Sequence, residues 1–284
     1  MIGLAVHRSV SCIDVLYNSC ETDRFTFEAP DNVPGVMIWS KGRAASFGVA
    51  AALLMTQASA VPLARQEVAA RVASEGADLT NLEAPGADLS GLDFRGARLF
   101  GATLKGANLT KAKLRGCNLD LAVLRDAILV EADLSEASLF ASVLANAKLN
   151  GANLRGARLM GNMERANLEG ADLSEVKGGS DMTNQPMGLI RLVLARAQLK
   201  GAKFNRADLS HADLSYADLR ETDLSDANLE MTKLVGADLT GAKLDRAMLG
   251  GAEIDHANFT GVEGLATVRG LESAKGREFA IFER

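Results

Sequence analysis

The sequence predicts an all-β solenoid, in which one short unit of chain turns and repeats many times along an axis. Three observations predict this fold class. From residue 77 the chain repeats every five residues in the pattern Ala-(Asp/Asn)-Leu-x-x. The apolar mass is aliphatic, because 48% of the residues are hydrophobic and only 5% are aromatic. The 27 glycines and only 5 prolines suit frequent corners better than a disordered or collagen-like chain.

The five-residue unit is the first element to justify. Its period matches neither the roughly 3.6 residues of a helical turn nor the two-residue alternation of a flat strand. The central residue and the small residue two positions earlier are predicted to point inward, while the other positions face water. Glycine at the last position, as in Gly86 and Gly106, suits a corner. The centre is leucine in nearly every unit, with exceptions at Ala84, Phe94, Phe204, Ile254 and Phe259.

These units resemble the pentapeptide-repeat family over residues 77–261. The resemblance implies a right-handed quadrilateral parallel β-helix, with four units and therefore about 20 residues in each coil. Coils would stack at the strand spacing of about 4.8 Å. The resemblance also implies that two molecules can join end to end, because some family members do so through their C-terminal ends.

Residues 1–60 are predicted to be a leader rather than part of the solenoid. Residues 37–60 have the layout of a signal peptide: a methionine, two basic residues, an uncharged apolar stretch and the small-residue site Ala58-Ser59-Ala60. Residues 1–36 are then a spurious or discarded extension. The apolar stretch is far shorter than the roughly 20 residues of a stable membrane span. The alternative is an ordinary buried helix over 44–55, in a protein that stays in the cytoplasm.

The solenoid also needs ends, since its first and last coils would expose strand edges and apolar side chains. Residues 61–76 are predicted to form a helical N-terminal cap, with Val68 and Val72 over the first coil. Residues 262–284 are predicted to cover the last coil, and the alternative is that they pair two molecules as a homodimer.

Between the two ends of the solenoid, the five-residue period slips at two places around an irregular loop, 176–191. The two slips cancel, so the columns are predicted to realign.

No set of residues in the sequence has the pattern of a catalytic, cofactor or metal site. Phosphate-binding, dinucleotide-binding and nucleophile-elbow motifs are absent from the sequence. His211 and His256 occupy outward positions about two coils apart, too far to share a metal. Cys117 replaces an inward alanine and is predicted to be a small packed hydrophobe. The sequence therefore predicts a protein that is not an enzyme and needs no cofactor.

Partner-binding residues are predicted on two surfaces. Equivalent positions of successive coils should stack, which places Phe100, Phe140 and Met160 in one outward column with Thr80 and Asp120. The second surface is the irregular loop, because loops on rigid scaffolds often carry function. Its candidate residues are Asp181, Asn184 and Gln185. A column through Arg95, Arg115 and Arg155 suggests an anionic partner, although Asp93 and Asp133 lie close enough to neutralise it.

Two functions follow from these features. The first is an exported scaffold or protein-interaction module, periplasmic or secreted, with an unidentified protein partner. The alternative is a cytoplasmic DNA mimic that binds DNA gyrase, as the resemblance implies for family members that protect this enzyme from quinolones. An acidic ring at Asp208, Asp213, Asp218 and Asp223 favours mimicry. The net charge of −5 argues against direct nucleic-acid binding, and the near balance of acids and bases along the repeats argues against a DNA mimic.

Overall fold

The chain is a parallel repeat β-helix, in which each unit pairs with the unit one coil further on, as Asp78 pairs with Arg98. The computed structural model describes residues 65–73, 76–179 and 190–282, and the predicted leader lies outside them. The bridges that begin at Asp78, Glu83, Asp88 and Asp93 define four parallel ladders, which we call the first to the fourth. One bridge in every unit therefore explains the period of the sequence. Among the described residues, no helix has the length and apolarity required to cross a membrane.

Three backbone hydrogen bonds per regular unit join neighbouring coils, and a fourth closes the turn. In the first unit, Leu79 N donates to Arg98 O at 2.8 Å, Arg98 N donates to Ala77 O at 2.9 Å, and Asn81 N donates to Phe100 O at 2.8 Å. Leu82 N donates to Leu79 O at 3.0 Å, which closes the turn between two units. The unit ends in the left-handed region, at φ 56 for Asn81. Glycine adopts this conformation with least cost, which explains its frequency there.

The core is a set of leucine and alanine columns, as the repeat predicts. Leu79, Leu99 and Leu119 stack in the first ladder and are all buried. Where a hydroxyl replaces the inward alanine, it is hydrogen-bonded: Ser142 Oγ donates to Leu139 O at 2.9 Å and Thr222 Oγ1 donates to Leu219 O at 2.7 Å. These buried polar groups are thus satisfied inside the core.

The first slip in the period lies between two regular strands, β1 (Ser138–Val143) and β2 (Arg158–Asn162). They pair in parallel, but the register shifts between Phe140 and Ser142, so Ala141 is left without a partner in β2. One residue is therefore missing from the coil that contains β2. Gly161 stands at the missing corner, directly against the backbone of Ser142.

The second slip lengthens one coil. Lys177 pairs with Asp208, so the coil between them contains the irregular loop in addition to its four sides. The sequence predicts that the columns realign after the loop, but residues separated by whole regular coils do not lie in the same ladder on its two sides. Only the five-residue spacing of the units returns after the loop. Gly178 occupies the centre of a unit, and a β-carbon there would lie 2.7 Å from Leu192 Cδ2. Leu192 therefore fills the core where other units have a central leucine.

The N-terminal end is covered by α1 (Arg65–Arg71), a helix within the segment 61–76. Val68 is completely buried, and Val72 is partly buried and packs against the core. Arg65 Nη1 donates to Asp88 O at 3.2 Å, which ties the helix to the third ladder. The helix thereby shields the apolar end of the first coil.

At the C-terminal end, the segment expected to cover the last coil forms one more coil instead. Glu263, Arg269, Lys275 and Ile281 each pair with the preceding coil, at a spacing of six along the chain. In the first two of these sides, the extra residue is taken up in short 3-10 helices at Leu265–Thr267 and Leu271–Ser273. The boundary expected at 261 therefore does not end the β-helix.

Candidate interaction surfaces

The predicted apolar column lies in the first ladder, one position after the centre of each unit. Phe100 is 38% exposed, and Phe140 is half-buried. The prediction was wrong for Met160, which is only 5% exposed. The coil loses a corner residue at this point, so the chain stays extended through Met160 and Gly161 instead of turning outward. The column therefore exposes two aromatic side chains to solvent, and not the three apolar side chains that the sequence predicts.

Polar neighbours hold Phe140 in place. The guanidinium carbon of Arg158 lies 4.4 Å from the centre of the Phe140 ring, in a cation–π contact. Asp120 Oδ1 accepts hydrogen bonds from Ser138 Oγ at 2.6 Å and from the backbone N of Phe140 at 2.9 Å. Asp120 therefore supports the extended backbone of β1 rather than interrupting the column as a free charge.

The apolar surface continues around the corner into the second ladder, which the sequence reasoning missed. Leu121 is 48% exposed, and Val123 and Val143 are half-buried beside it. We call Phe100, Leu121, Val123, Phe140 and Val143 the corner patch. Two features of the sequence could have indicated this surface. Leu121 stands at a corner position where glycine is common, and Val123 and Val143 stand where Asp or Asn is common.

The other predicted binding surface is the irregular loop. Its candidate residues Asp181, Asn184 and Gln185 lie outside the described residues. The residues that precede them, Lys177 to Gly179, pack against the backbone and side chain of Asp208.

The arginine column is neutralised by carboxylates. Arg95 Nε lies 2.8 Å from Asp93 Oδ1, Arg115 Nη2 lies 3.0 Å from Glu136 Oε1, and Arg155 Nη2 lies 3.1 Å from Glu175 Oε1. Asp133, which was expected to neutralise this column, instead accepts hydrogen bonds from Ser135 and Asn153. The column is therefore a series of surface ion pairs and a poor site for an anionic partner.

The acidic ring is offset by bases in the same way. Arg220 forms two hydrogen bonds with Asp218, at 2.7 and 2.6 Å, and this hydrogen bonding lowers the pKa of Asp218. Asp223 lies between Lys203 and Lys243 in the fourth ladder. That ladder alternates in sign over much of its length: Asp172, Lys203, Asp223, Lys243 and Glu263. A sustained negative field is therefore not found around these four aspartates.

The remaining candidates have structural surroundings. Cys117 is buried, its Sγ donates to Phe94 O at 2.7 Å, and burial raises the pKa of the thiol to about 12. His256 lies against Phe279, with ring centres 5.7 Å apart. In residues 65–73, 76–179 and 190–282, no three His, Cys, Asp or Glu side chains are grouped for a metal ion. A cavity of about 300 Å³ beneath α1 is lined by Ala69, Val72 and Leu92, with Asp93 and Arg95.

Fold and surface together define a β-helical repeat protein that displays its side chains in stacked columns. A family model described as pentapeptide repeats matches with 8 copies. The matched residues are 75–110, 102–140, 117–156, 137–177, 193–230 and 222–261. The chain belongs to the pentapeptide-repeat family.

Solved structures of this family are similar to the chain. HetL, involved in heterocyst differentiation regulation in the cyanobacterium Nostoc sp. strain PCC 7120, is 27% identical over 76% of this chain and 96% of its own, with a TM-score of 0.31. QnrB1, a plasmid-mediated fluoroquinolone resistance protein, in a trypsin-treated form, is 22% identical over 71% of this chain and 89% of its own, with a TM-score of 0.34. A pentapeptide repeat protein from the thylakoid lumen of Arabidopsis thaliana is 28% identical over 46% of this chain and 63% of its own, with a TM-score of 0.21. No curated protein matches the chain at a significant level.

Proposed function

We propose that this protein is an exported, non-enzymatic scaffold that binds another protein through the side of its β-helix. The observation that carries the proposal is the corner patch, where Phe100 and Leu121 stay exposed on a backbone fixed by hydrogen bonds to both neighbouring coils. Contiguous exposed apolar side chains commonly mark interaction sites. A rigid backbone lowers the entropic cost of binding, because little order has to be gained.

The fold that we infer for this scaffold is the right-handed quadrilateral coil that the family resemblance implies. The four parallel ladders support a four-sided coil. An experimental structure that resolves the path of one coil tests both the sides and the hand.

Export is the part of the proposal that rests on residues 37–60. Fractionation of native cells and N-terminal sequencing of the protein test it directly. We expect a periplasmic or secreted form that begins at Val61. This form should lack indole absorbance, because Trp39 is the single tryptophan. An intact N-terminus at Met1 in the cytoplasm would refute export.

The alternative function is a cytoplasmic DNA mimic that binds gyrase. The observation in its favour is the ring of Asp208, Asp213, Asp218 and Asp223, which places one carboxylate on each ladder. The bases beside these carboxylates weaken the case, since a mimic of duplex DNA needs an extended negative field. A supercoiling assay decides between the functions. Inhibition of gyrase at low protein concentration would favour the alternative.

A homodimer through the C-terminal end belongs to the same proposal. Phe279 and Ile281 are 55% and 53% exposed on the last coil. Exposed side chains of this size at the open end of a solenoid are suited to burial between two copies.

A further inference from the structure

We infer that the corner patch binds a peptide segment of its partner that carries apolar side chains flanked by carboxylates. The inference rests on the proposed function and names the chemistry of the partner. It is drawn from the cations that surround the patch, which contribute to no ion pair within the described part of the chain.

Four cations border the patch on two sides. Lys105 and Arg125 lie beside the second ladder, in successive coils, and Arg98 and Arg158 lie in the first ladder. All four are exposed. None has a carboxylate within ion-pair distance among the described residues, although Arg98 is near enough to Asp78 to help lower the pKa of that carboxyl. We call these residues the rim cations.

The rim cations, like Lys148 and Lys233, differ from those cations of the β-helix that form an ion pair with an acid. Elsewhere a base commonly faces an acid one coil away, as Lys113 faces Asp93 at 3.6 Å and Arg246 faces Asp226 at 2.6 Å. Lys105 and Arg125 instead occupy equivalent positions of successive coils, which places like charges next to each other. Like charges in directly adjacent positions destabilise a sheet. A carboxylate from a partner removes this repulsion, so binding gains from a feature that costs stability in the free protein.

The rim cations stand beside apolar surface, which gives the site two kinds of recognition. On the first ladder, Arg158 is held over the ring of Phe140. Its guanidinium retains the donors needed for a carboxylate, because a cation–π contact uses the face of the ring and not the N–H groups. Apolar side chains of the partner would cover Phe100 and Leu121 between the two rows of cations. Acidic side chains on either flank of the segment would reach the rows.

A peptide fits this surface better than an anionic membrane, although cations and apolar groups suit both. Asp120 lies within the first-ladder column, between Phe100 and Phe140, and is half-buried. Its Oδ1 is hydrogen-bonded to Ser138 and Phe140, and acyl chains would remove water from the rest of the carboxylate without supplying a hydrogen-bond donor. A peptide brings backbone N–H groups that can donate to it. We therefore assign the patch to a peptide.

A random library of dodecapeptides displayed on phage tests the assignment on the full-length protein. We expect the enriched peptides to combine leucine, valine or aromatic residues with an excess of Asp and Glu. Their affinity should fall about tenfold or more for the double variant Lys105→Glu/Arg125→Glu. A matched control, Lys148→Glu/Lys233→Glu, makes the same change of charge on the third and second ladders away from the patch. It should keep the affinity within about twofold.

Each of five outcomes would overturn the inference. Enriched peptides without acidic residues, or peptides that bind the Lys105→Glu/Arg125→Glu variant as well as the native protein, would remove the role of the rim cations. An equal loss of peptide affinity in the Lys148→Glu/Lys233→Glu control would show that the loss comes from the change in net charge and not from the rim cations. Co-sedimentation with vesicles of phosphatidylcholine and phosphatidylglycerol, lost in the rim variant, would assign the patch to a membrane if no peptide is enriched. A native partner whose binding ignores the rim variant would leave the proposed scaffold function intact and refute only this inference.

Discussion

The α-carbon of Gly161 lies so close to Ser142 that a β-carbon at residue 161 would clash with the Ser142 carbonyl oxygen. This contact is where β2 loses one residue relative to β1. The φ of Gly161 is not positive, so the glycine is required by the close approach of two backbones and not by a left-handed corner.

Replacement of Gly161 by alanine should therefore destabilise the protein. We expect Gly161→Ala to lower the free energy of unfolding by about 2 kcal/mol or more, because a backbone carbonyl cannot move away without disturbing the ladder. Urea denaturation followed by circular dichroism measures the change. Gly250→Ala is the control, since a β-carbon there meets only the side chain of Glu230, at 3.5 Å. Equal stabilities of the two variants would contradict the argument.

The sequence predicted the β-helix well because every unit repeats the same inward pair, as Leu139 and Ala137 show. It revealed that the period slips near residue 161, but a change of spacing does not say which corner is lost. Burial of Met160 followed from that missing corner and could not be read from the five-residue pattern. At the C-terminus, Gly264 and Gly270 mark a six-residue spacing that a search for five-residue units passes over.

The corner patch was predictable only in part. Phe100 and Phe140 occupy the same position of units two coils apart, so the repeat alone brings them into one column. Leu121 and Val123 belong to the next side of the coil. Joining them to the column requires the geometry of the corner, whereas the repeat alone places Lys105 and Arg125 at equivalent positions of successive coils.

The inward leucines should be intolerant of charge. Leu139 is completely buried, so Leu139→Asp would place an unpaired carboxylate in the core and should cost about 4 kcal/mol or more. Thermal unfolding by circular dichroism should show a large fall in Tm or loss of the folded state. Lys148→Asp is the control and should change Tm little, because Lys148 is exposed in the third ladder of the same coil. An unchanged Tm in Leu139→Asp would refute the inward assignment.

The contribution of the Asp218–Arg220 pair should depend on pH. Hydrogen bonding from Arg220 lowers the pKa of Asp218 in the folded protein. The folded state therefore binds this proton less tightly than the unfolded state, whose aspartate pKa is about 3.9. The stabilisation should be present above that value and disappear as the pH falls through the lower folded-state pKa. A double-mutant cycle of Asp218→Asn and Arg220→Met, measured by urea unfolding at about pH 7 and about pH 2, should show weaker coupling at the lower pH. Equal coupling at both would contradict the prediction.

The thiol of Cys117 should be unreactive while the protein is folded. Burial raises its pKa to about 12, so almost no thiolate forms at pH 8, and the side chain is inaccessible. Titration with Ellman's reagent, in a chain that carries Cys12→Ser and Cys20→Ser, should detect no thiol in buffer and one thiol in guanidinium chloride. Rapid labelling in buffer would mean that the coil around Cys117 opens readily.

The last coil supplies a test of self-association. Its six-residue sides leave Phe279 and Ile281 exposed, next to the partly buried Phe282, whose ring stacks on Phe259 at 5.0 Å between centres. We expect the native protein to sediment as a dimer and Phe279→Arg/Ile281→Arg to sediment as a monomer, because two new charges at a shared apolar surface oppose its burial. Phe100→Arg/Leu121→Arg, which makes the same change on the corner patch, should remain dimeric. A native protein that is monomeric at every concentration tested would remove dimerisation from the proposal. If only the Phe100→Arg/Leu121→Arg variant dissociates, the contact lies on the side of the β-helix and not at its end.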